Sequence, residues 1–185
     1  MDDSRIIELF YERSEQAIVE LSQKYGDTCF KIAVNILKSK SDAEECVNDA
    51  YLGAWNTIPP QNPNPLLAYI CRIVRNISIK RYHHNTAKKR NSYYDVALDE
   101  LENCLSSGEN AQDELDAKEL TALLDTFLAR LDKINRNMFI RRYWFSDSIS
   151  DIATTFKMNS RAVTIRLSRT RKKLKHYLSK KGVAL

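Results

Sequence analysis

The sequence predicts an all-α fold of two small helical domains joined by an acidic linker, the C-terminal domain being a helix-turn-helix. First, its 185 residues include only four glycines and four prolines. That is too few for a sheet protein, in which turn residues recur every ~8–12 positions. Second, apolar residues recur at helical spacing along most of the chain. Third, the net charge alternates by block: −5 over 1–65, +7 over 66–90, −8 over 91–119 and +11 over 120–185. A single polyanion could therefore bind to both basic blocks.

The N-terminal domain is predicted to span residues 1–90. A first helix over 3–22 is expected to end before Gly26, and a second to begin near Asp27. Residues 41–44 form a capping box that opens a third helix. The apolar stripe of this third helix comprises Ala43, Cys46, Val47, Ala50, Tyr51, Ala54 and Trp55. Its opposite face carries Glu45, Asn48, Asp49 and Leu52.

Residues 59–65 are rich in proline and are predicted to form a loop, because each proline disfavours helix at the residue before it. A long basic helix is predicted to follow over 66–90. Its buried side is predicted to hold Leu67, Ile70, Ile73, Val74 and Ile77. Its outward side is predicted to carry Arg72, Arg75, Ile79, Tyr82 and His83, with Tyr69 and Asn76 at the margin. Cations interleaved with aromatic rings suit single-stranded nucleic acid, whose bases stack on the rings. The alternative is an amphipathic helix whose cations only extend into solvent.

Residues 91–112 are predicted to form the acidic linker, and residues 113–185 the C-terminal domain. A helix starting near Asp113 is expected to bury Leu120, Leu123, Leu124, Phe127, Leu128 and Leu131. The helix that follows, over 132–145, is expected to bury Ile134, Met138, Phe139 and Tyr143.

The helix-turn-helix follows in the sequence. Ser148 and Asp151 form a second capping box that opens a short helix, and Ala153 is small enough for a second helix to cross there. Asn159 or Ser160 caps that second helix, which would be the recognition helix. Its predicted buried stripe comprises Val163, Leu167, Thr170, Leu174 and Leu178.

The exposed side of the second helix is strongly basic. Residues 160–181 include nine lysines and arginines and no carboxylate. The N-terminal end of such a helix meets base edges, while its later cations pair with phosphates. The candidates for contacts with duplex DNA are Ser160, Arg161, Thr164, Ile165, Ser168, Arg169 and Lys172. Ile165 is a candidate contact to a thymine methyl group. The alternatives are an ordinary exposed isoleucine and, for the whole helix, the solvated face of a structural bundle.

Other classes of function find little support. The four cysteines are widely spaced and are expected to be buried thiols, while the adjacent His83 and His84 point about 100° apart on a helix. We find no phosphate-binding loop, nucleophile motif or paired metal ligands, so we expect no catalytic residue, metal or cofactor.

The acidic N-terminus resembles no signal peptide, and no apolar run approaches the ~20 residues that span a bilayer. The protein is therefore predicted to be cytoplasmic, without membrane insertion.

Several segments, in order, resemble the sigma-70 family of bacterial RNA polymerase, specifically its small extracytoplasmic-function (ECF) group. Residues 41–45 (SDAEE) through 54–55 (AW) are similar to the family's DAED…AW helix. Residues 69–76 (YICRIVRN) are similar to its WLYRIARN segment. Residues 131–143, 149–153 and 163–173 are similar to its C-terminal domain.

This resemblance implies a division of labour. The first domain would bind the clamp helices of core RNA polymerase through Glu45, Asn48, Asp49 and Leu52, and the polymerase flap is a further expected contact. The proline loop and long helix would recognise and open the −10 element, as single strands, through Asn62, Asn64, Tyr69, Arg72, Arg75, Asn76, Ile79, Tyr82 and His83. The second domain would read the −35 element as a duplex. The linker would run through the polymerase channel, and an inhibitory anti-sigma factor is an expected partner.

The chain departs from the family pattern at several positions. Tyr69 stands where the family usually has Trp, Lys80 where it has Asp, and Lys157 where it has the turn glycine. Thr164 and Ile165 are unusual on the reading face and suggest an atypical −35 sequence. The competing interpretation is a helix-turn-helix regulator that acts without being a polymerase subunit. Binding of this chain to core polymerase would distinguish a sigma factor from such a regulator.

Overall fold

The computed structural model describes residues 1–85, 93–105 and 117–183, which form nine α-helices and no β-strand. By their contacts they divide into two compact units, unit 1 within Met1–Ser92 and unit 2 within Tyr93–Leu185. The all-α, two-domain prediction is confirmed.

Unit 1 contains helices α1 (Asp3–Tyr11), α2 (Gln16–Leu37), α3 (Lys40–Thr57) and α4 (Leu66–Asn85). Helices α2, α3 and α4 pack against one another, and α1 packs on α2. The largest fully buried side chains of this core are Ile6, Phe10, Leu21, Ile32, Ile36, Ile58, Leu66 and Ile70. The stripe predicted on α3 is buried in full except for Trp55, which is half-buried.

The first two helix boundaries differ from the prediction. The break falls between Tyr11 and Gln16, where Arg13 adopts a left-handed φ of 54°. Gly26 lies inside α2, where a Cβ atom would come within 3.3 Å of the Tyr51 hydroxyl. The glycine therefore permits close packing of α2 on α3 and ends no helix. Helix α3 is capped by Ser39, whose Oγ accepts from Asp42 N at 3.3 Å, so the predicted capping box at 41–44 starts two residues late.

Unit 2 contains α5 (Tyr93–Leu105), α6 (Ala117–Arg130), α7 (Lys133–Tyr143), α8 (Ile149–Thr155) and α9 (Ser160–Lys180). Helix α9 is central and contacts each of the others. The core is built from Phe127, Leu131, Met138, Phe139, Tyr143, Ile152, Val163, Leu167, Leu174 and Leu178, with Ala97 from α5. Ile134 was predicted to be buried but is 43% exposed. It lies in the first turn of α7, before the buried stripe begins at Met138.

The acidic segment also differs from its prediction as a linker. Its described part is helix α5, which packs on α7 and α9. Asp95 is only 7% exposed, and the Glu100 carboxylate pairs with arginines of α7 and α9. An acidic composition is typical of a solvated linker, but the cations that pair with Glu100 lie far along the chain, in α7 and α9. Residues 91, 92 and 106–112 of the predicted linker lie outside the described residues, as do 86–90 of the predicted long helix and 113–116 of the next helix.

Candidate nucleic-acid interface

The helix-turn-helix forms as predicted and is closed by local hydrogen bonds. Ser148 Oγ accepts from Asp151 N at 3.0 Å and caps α8. Asn159, not Ser160, caps α9, with its Oδ1 accepting from Ala162 N at 2.7 Å. Between the helices Lys157 has a left-handed φ of 52°, and Met158 N donates to Ala153 O at 2.9 Å. This is the Schellman pattern, whose left-handed position favours glycine.

Helix α9 presents the predicted reading face. The five residues of its predicted stripe are its buried residues, so the helix is oriented as expected. Ser160, Arg161, Thr164, Arg169 and Lys172 are exposed, Ile165 is 42% exposed, and Ser168 is half-buried. Thr164 Oγ1 donates to Ser160 O at 2.9 Å, which leaves the hydroxyl oxygen free to accept.

A groove beside this face adds cations that the sequence analysis missed. It has a volume of about 430 Å³ and is lined by Asn135, Ala162, Ile165, Arg166, Arg169, Thr170 and Lys173. Arg166 Nη1 donates to Asn135 Oδ1 at 3.4 Å, across from α9 to α7. The signal in the sequence was the spacing of Arg166, Arg169 and Lys173, which places these three cations on one side of the helix. The basic surface of α9 is therefore wider than the predicted face.

The C-terminal half of α9 is tied to α5 and α7 through Glu100. Its carboxylate accepts from Arg142 Nη2 at 2.8 Å and from Arg171 Nη1 at 3.0 Å. The Tyr143 hydroxyl donates to the same carboxylate at 3.0 Å and accepts from Arg171 Nη1 at 2.6 Å. Burial raises the pKa of Tyr143 above its usual value, which favours the protonated phenol that donates to Glu100.

In unit 1 the predicted −10 face is only partly exposed. Arg72, Asn76 and His83 are exposed, while Arg75 and Ile79 are half-buried. Tyr82, predicted to point outward, is 8% exposed. The buried side of α4 advances by fours through Ile70, Val74, Ser78 and Tyr82, whereas the prediction followed the bulkier Ile73 and Ile77. Ser78 is fully buried beside the Cys46 thiol of α3, and Tyr82 lies about one turn later on the same buried side of α4.

Tyr69 is also buried and does not present its ring at the margin of the face. It is 9% exposed, and its hydroxyl donates to Thr57 Oγ1 at 2.6 Å. The Arg72 guanidinium lies over the ring, 5.3 Å from its centroid. The ring is therefore a structural contact between α3 and α4, covered on one face by a cation.

The proline loop lies against α1, which the sequence analysis did not place there. Asn62 and Asn64 are exposed and, with Pro63, line a cavity of about 680 Å³. The opposite wall of this cavity comprises Asp3, Ser4, Ile7, Glu8 and Tyr11 of α1, with Glu12 directly after the helix. Tyr11 is 46% exposed, and its hydroxyl donates to Pro60 O at 3.0 Å. The exposed ring of Tyr11 thus lies beside the loop, whereas the rings of Tyr69 and Tyr82 are buried.

The outer side of α3 is exposed as predicted. Glu45, Asn48 and Asp49 are exposed, and Leu52 is 56% exposed. Glu45 Oε1 accepts from Arg81 Nη2 at 2.6 Å, and this arginine lowers the pKa of Glu45. Arg81, which the sequence analysis did not single out, therefore links this surface to basic helix α4.

Within 1–85, 93–105 and 117–183, no group of three or more His, Cys, Asp or Glu side chains could hold a metal ion. None of the described helices is both long and apolar enough to cross a bilayer.

Comparisons with known proteins identify both units. Residues 21–88 match the family model of sigma-70 region 2, and residues 121–174 match that of sigma-70 region 4. A search of curated proteins found no match. Among solved structures, the chain resembles CnrH, determined in complex with the cytosolic domain of CnrY, at 18% identity and a TM-score of 0.45 over 96% of this chain and 97% of that one. The two regions together cover most of the chain, in the order expected from the resemblance to the ECF group, and the chain belongs to the sigma-70 family.

Proposed function

We propose that this protein is a sigma factor that binds core RNA polymerase and directs promoter-specific initiation by recognising −10 and −35 elements. One observation carries the proposal: a carboxylate-free basic helix in a formed helix-turn-helix follows a sigma-70 region 2 unit in the same chain. A regulator that only bound duplex DNA would have no use for the first unit. The proposed place of action is the cytoplasm, and the chain itself is proposed to catalyse no reaction.

In unit 2, helix α9 would read the −35 duplex. Ser160, Arg161, Thr164 and Ile165 lie in its first two turns, the part that reaches base edges in a helix-turn-helix complex. Ser168, Arg169 and Lys172 lie further along, where cations meet phosphates and set the register of the protein on the duplex. Arg166 and Lys173 in the groove extend the same phosphate-binding surface.

In unit 1, α4 and the proline loop would engage the −10 element. Exposed Arg72, Asn76 and His83, with half-buried Arg75 and Ile79, would follow the separated strand. Asn62 and Asn64 are proposed to contact a flipped base. Tyr69 and Tyr82 are proposed to support this surface from beneath, since both rings are buried.

The outer face of α3 is the proposed contact with the polymerase clamp helices. Glu45, Asn48 and Asp49 surround Leu52, an exposed apolar side chain within a polar rim. Interfaces commonly place apolar anchors inside such rims. The polymerase flap and an anti-sigma factor remain partners proposed from the resemblance to the ECF group.

The test is run-off transcription with purified core polymerase and a promoter library. We expect transcripts that start at a defined site only when the chain is added, and co-purification of the chain with core polymerase. Leu52→Asp should abolish both, whereas Val19→Asp is the matched control, because Val19 is similarly exposed on α2, away from the proposed contact. If the parent chain binds duplex DNA without binding core polymerase, it is a separate regulator and the proposal is wrong.

A further inference from the structure

We propose that Glu100 is a positioning residue for recognition of the −35 duplex, and that helix α5 is a working part of the DNA-reading unit. The proposal rests on the function proposed above for α9. It concerns a side chain more than 20 residues before the matched region 4, in a segment whose composition predicts a linker.

The Glu100 carboxylate joins two helices at once. From α7, Arg142 donates to it through Nη2 at 2.8 Å and Nε at 3.3 Å, and the Tyr143 hydroxyl donates at 3.0 Å. From α9, Arg171 donates at 3.0 Å. Charge-assisted and two-pronged bonds of this kind specify geometry as well as attraction. One carboxylate therefore bridges α7 and α9 and adds directional bonds to their apolar packing.

The same network reaches the start of the helix-turn-helix. The Arg142 side chain is only 2% exposed, and its Nη1 donates to Asp147 O at 2.9 Å. Arg141 pairs with the Asp147 carboxylate at 2.7 Å. The next residue, Ser148, caps α8. Because α8 has only seven residues, its placement depends on such tertiary contacts. Glu100 thus acts through Arg142 on α8 and through Arg171 on α9.

Loss of bonds in the Glu100 network should affect contacts to base edges and contacts to phosphates differently. Hydrogen bonds to base edges weaken steeply when distance or angle changes, so reading depends on the fixed placement of α9. Phosphate contacts carry no sequence information, and the Coulomb attraction behind them falls off only gradually with distance. Loss of the Glu100 carboxylate should therefore reduce discrimination between sequences more than it reduces binding to DNA in general.

The experiment compares the full-length parent with Glu100→Gln. Each protein is titrated, at one salt concentration, with the duplex that the parent enriches from a randomised pool and with a scrambled duplex of the same composition. We expect the ratio of the two affinities to fall about tenfold in Glu100→Gln, roughly the discrimination of one good base contact. Glu119→Gln, an exposed glutamate of α6 in the same unit, should keep the parental ratio.

The affinity ratio separates positioning from stability. Partial unfolding lowers both affinities by the same folded fraction and leaves their ratio unchanged. If Glu100→Gln does not fold, Tyr143→Phe removes only the hydroxyl shared by Glu100 and Arg171, and a fall of several-fold in the ratio is expected. An unchanged ratio in a folded variant overturns the role of Glu100. A parent that does not discriminate between the duplexes overturns the proposed reading function itself.

Discussion

Replacing Lys157 with glycine should stabilise unit 2. Lys157 is exposed and follows α8 with a φ of 52°, so the substitution removes a left-handed Cβ atom and no buried contact. The family usually has glycine at this place in the turn. We therefore expect the turn of this helix-turn-helix to be strained at Lys157.

The magnitude follows from two opposing terms. A left-handed conformation costs an L-residue about 1–2 kcal/mol. Glycine loses about 0.5–1 kcal/mol through the greater freedom of the unfolded chain. The midpoints of these two ranges differ by about 0.75 kcal/mol, so we expect a net gain of about 0.5–1 kcal/mol in the free energy of unfolding. For a unit of this size that corresponds to a rise of about 2–8 °C in melting temperature.

Thermal unfolding followed by Trp144 fluorescence measures this change. A Trp55→Phe background leaves Trp144, in unit 2, as the sole tryptophan reporter. Lys181→Gly is the matched control, because it makes the same exchange at an exposed helix end where φ is −92°. We expect no gain in the control. An equal or lower melting temperature for Lys157→Gly would show that the turn stores no strain, and the reasoning would be refuted.

Three further outcomes follow from the geometry. Lys172→Ala should weaken promoter binding about equally across sequences and reduce the slope of log affinity against log salt by about 0.9, with Lys180→Ala as control; a loss confined to one sequence would contradict the phosphate role. Ile165→Ala should change preference at one or two −35 positions, measured by selection from a randomised duplex pool, and an unaltered profile would remove it from the reading set. Tyr69→Phe should lower the free energy of unfolding of unit 1 by about 1 kcal/mol through loss of the bond to Thr57, while open-complex formation at 25 °C stays near parental, and a strong defect there would point to direct base contact.

Local patterns predicted much of unit 2. The stripe of α9 was identified in full, since one helix with five apolar or small residues at regular spacing has only one side to bury. Ser148 was identifiable as a cap because a capping side chain bonds to a backbone amide three residues away, whereas the cap of α9 was narrowed to Asn159 or Ser160 and the structure shows Asn159. The exposed basic face of α9 followed from these two results, because it is the side opposite the buried stripe.

On α4, residue type was a poor guide to burial. Isoleucines 73 and 77 suggested the inner side, but the fit against α3 selected Ser78 and Tyr82 instead. Gly26 shows the same limit. It allows the close approach of Tyr51, which belongs to a helix that begins 14 residues later. In both cases the deciding contact is with another helix.

The sequence by itself determined the all-helical class, the two basic surfaces and the orientation of α9, because these depend on periodicity and caps within one segment. Only the tertiary structure decided that the described part of the acidic segment is a helix of unit 2, packed on α7 and α9. The bonds that hold Glu100 connect residues 42, 43 and 71 positions apart. A carboxylate in a run of carboxylates has no local sign that distinguishes solvation from pairing, because the cations that decide between them are brought near only by folding.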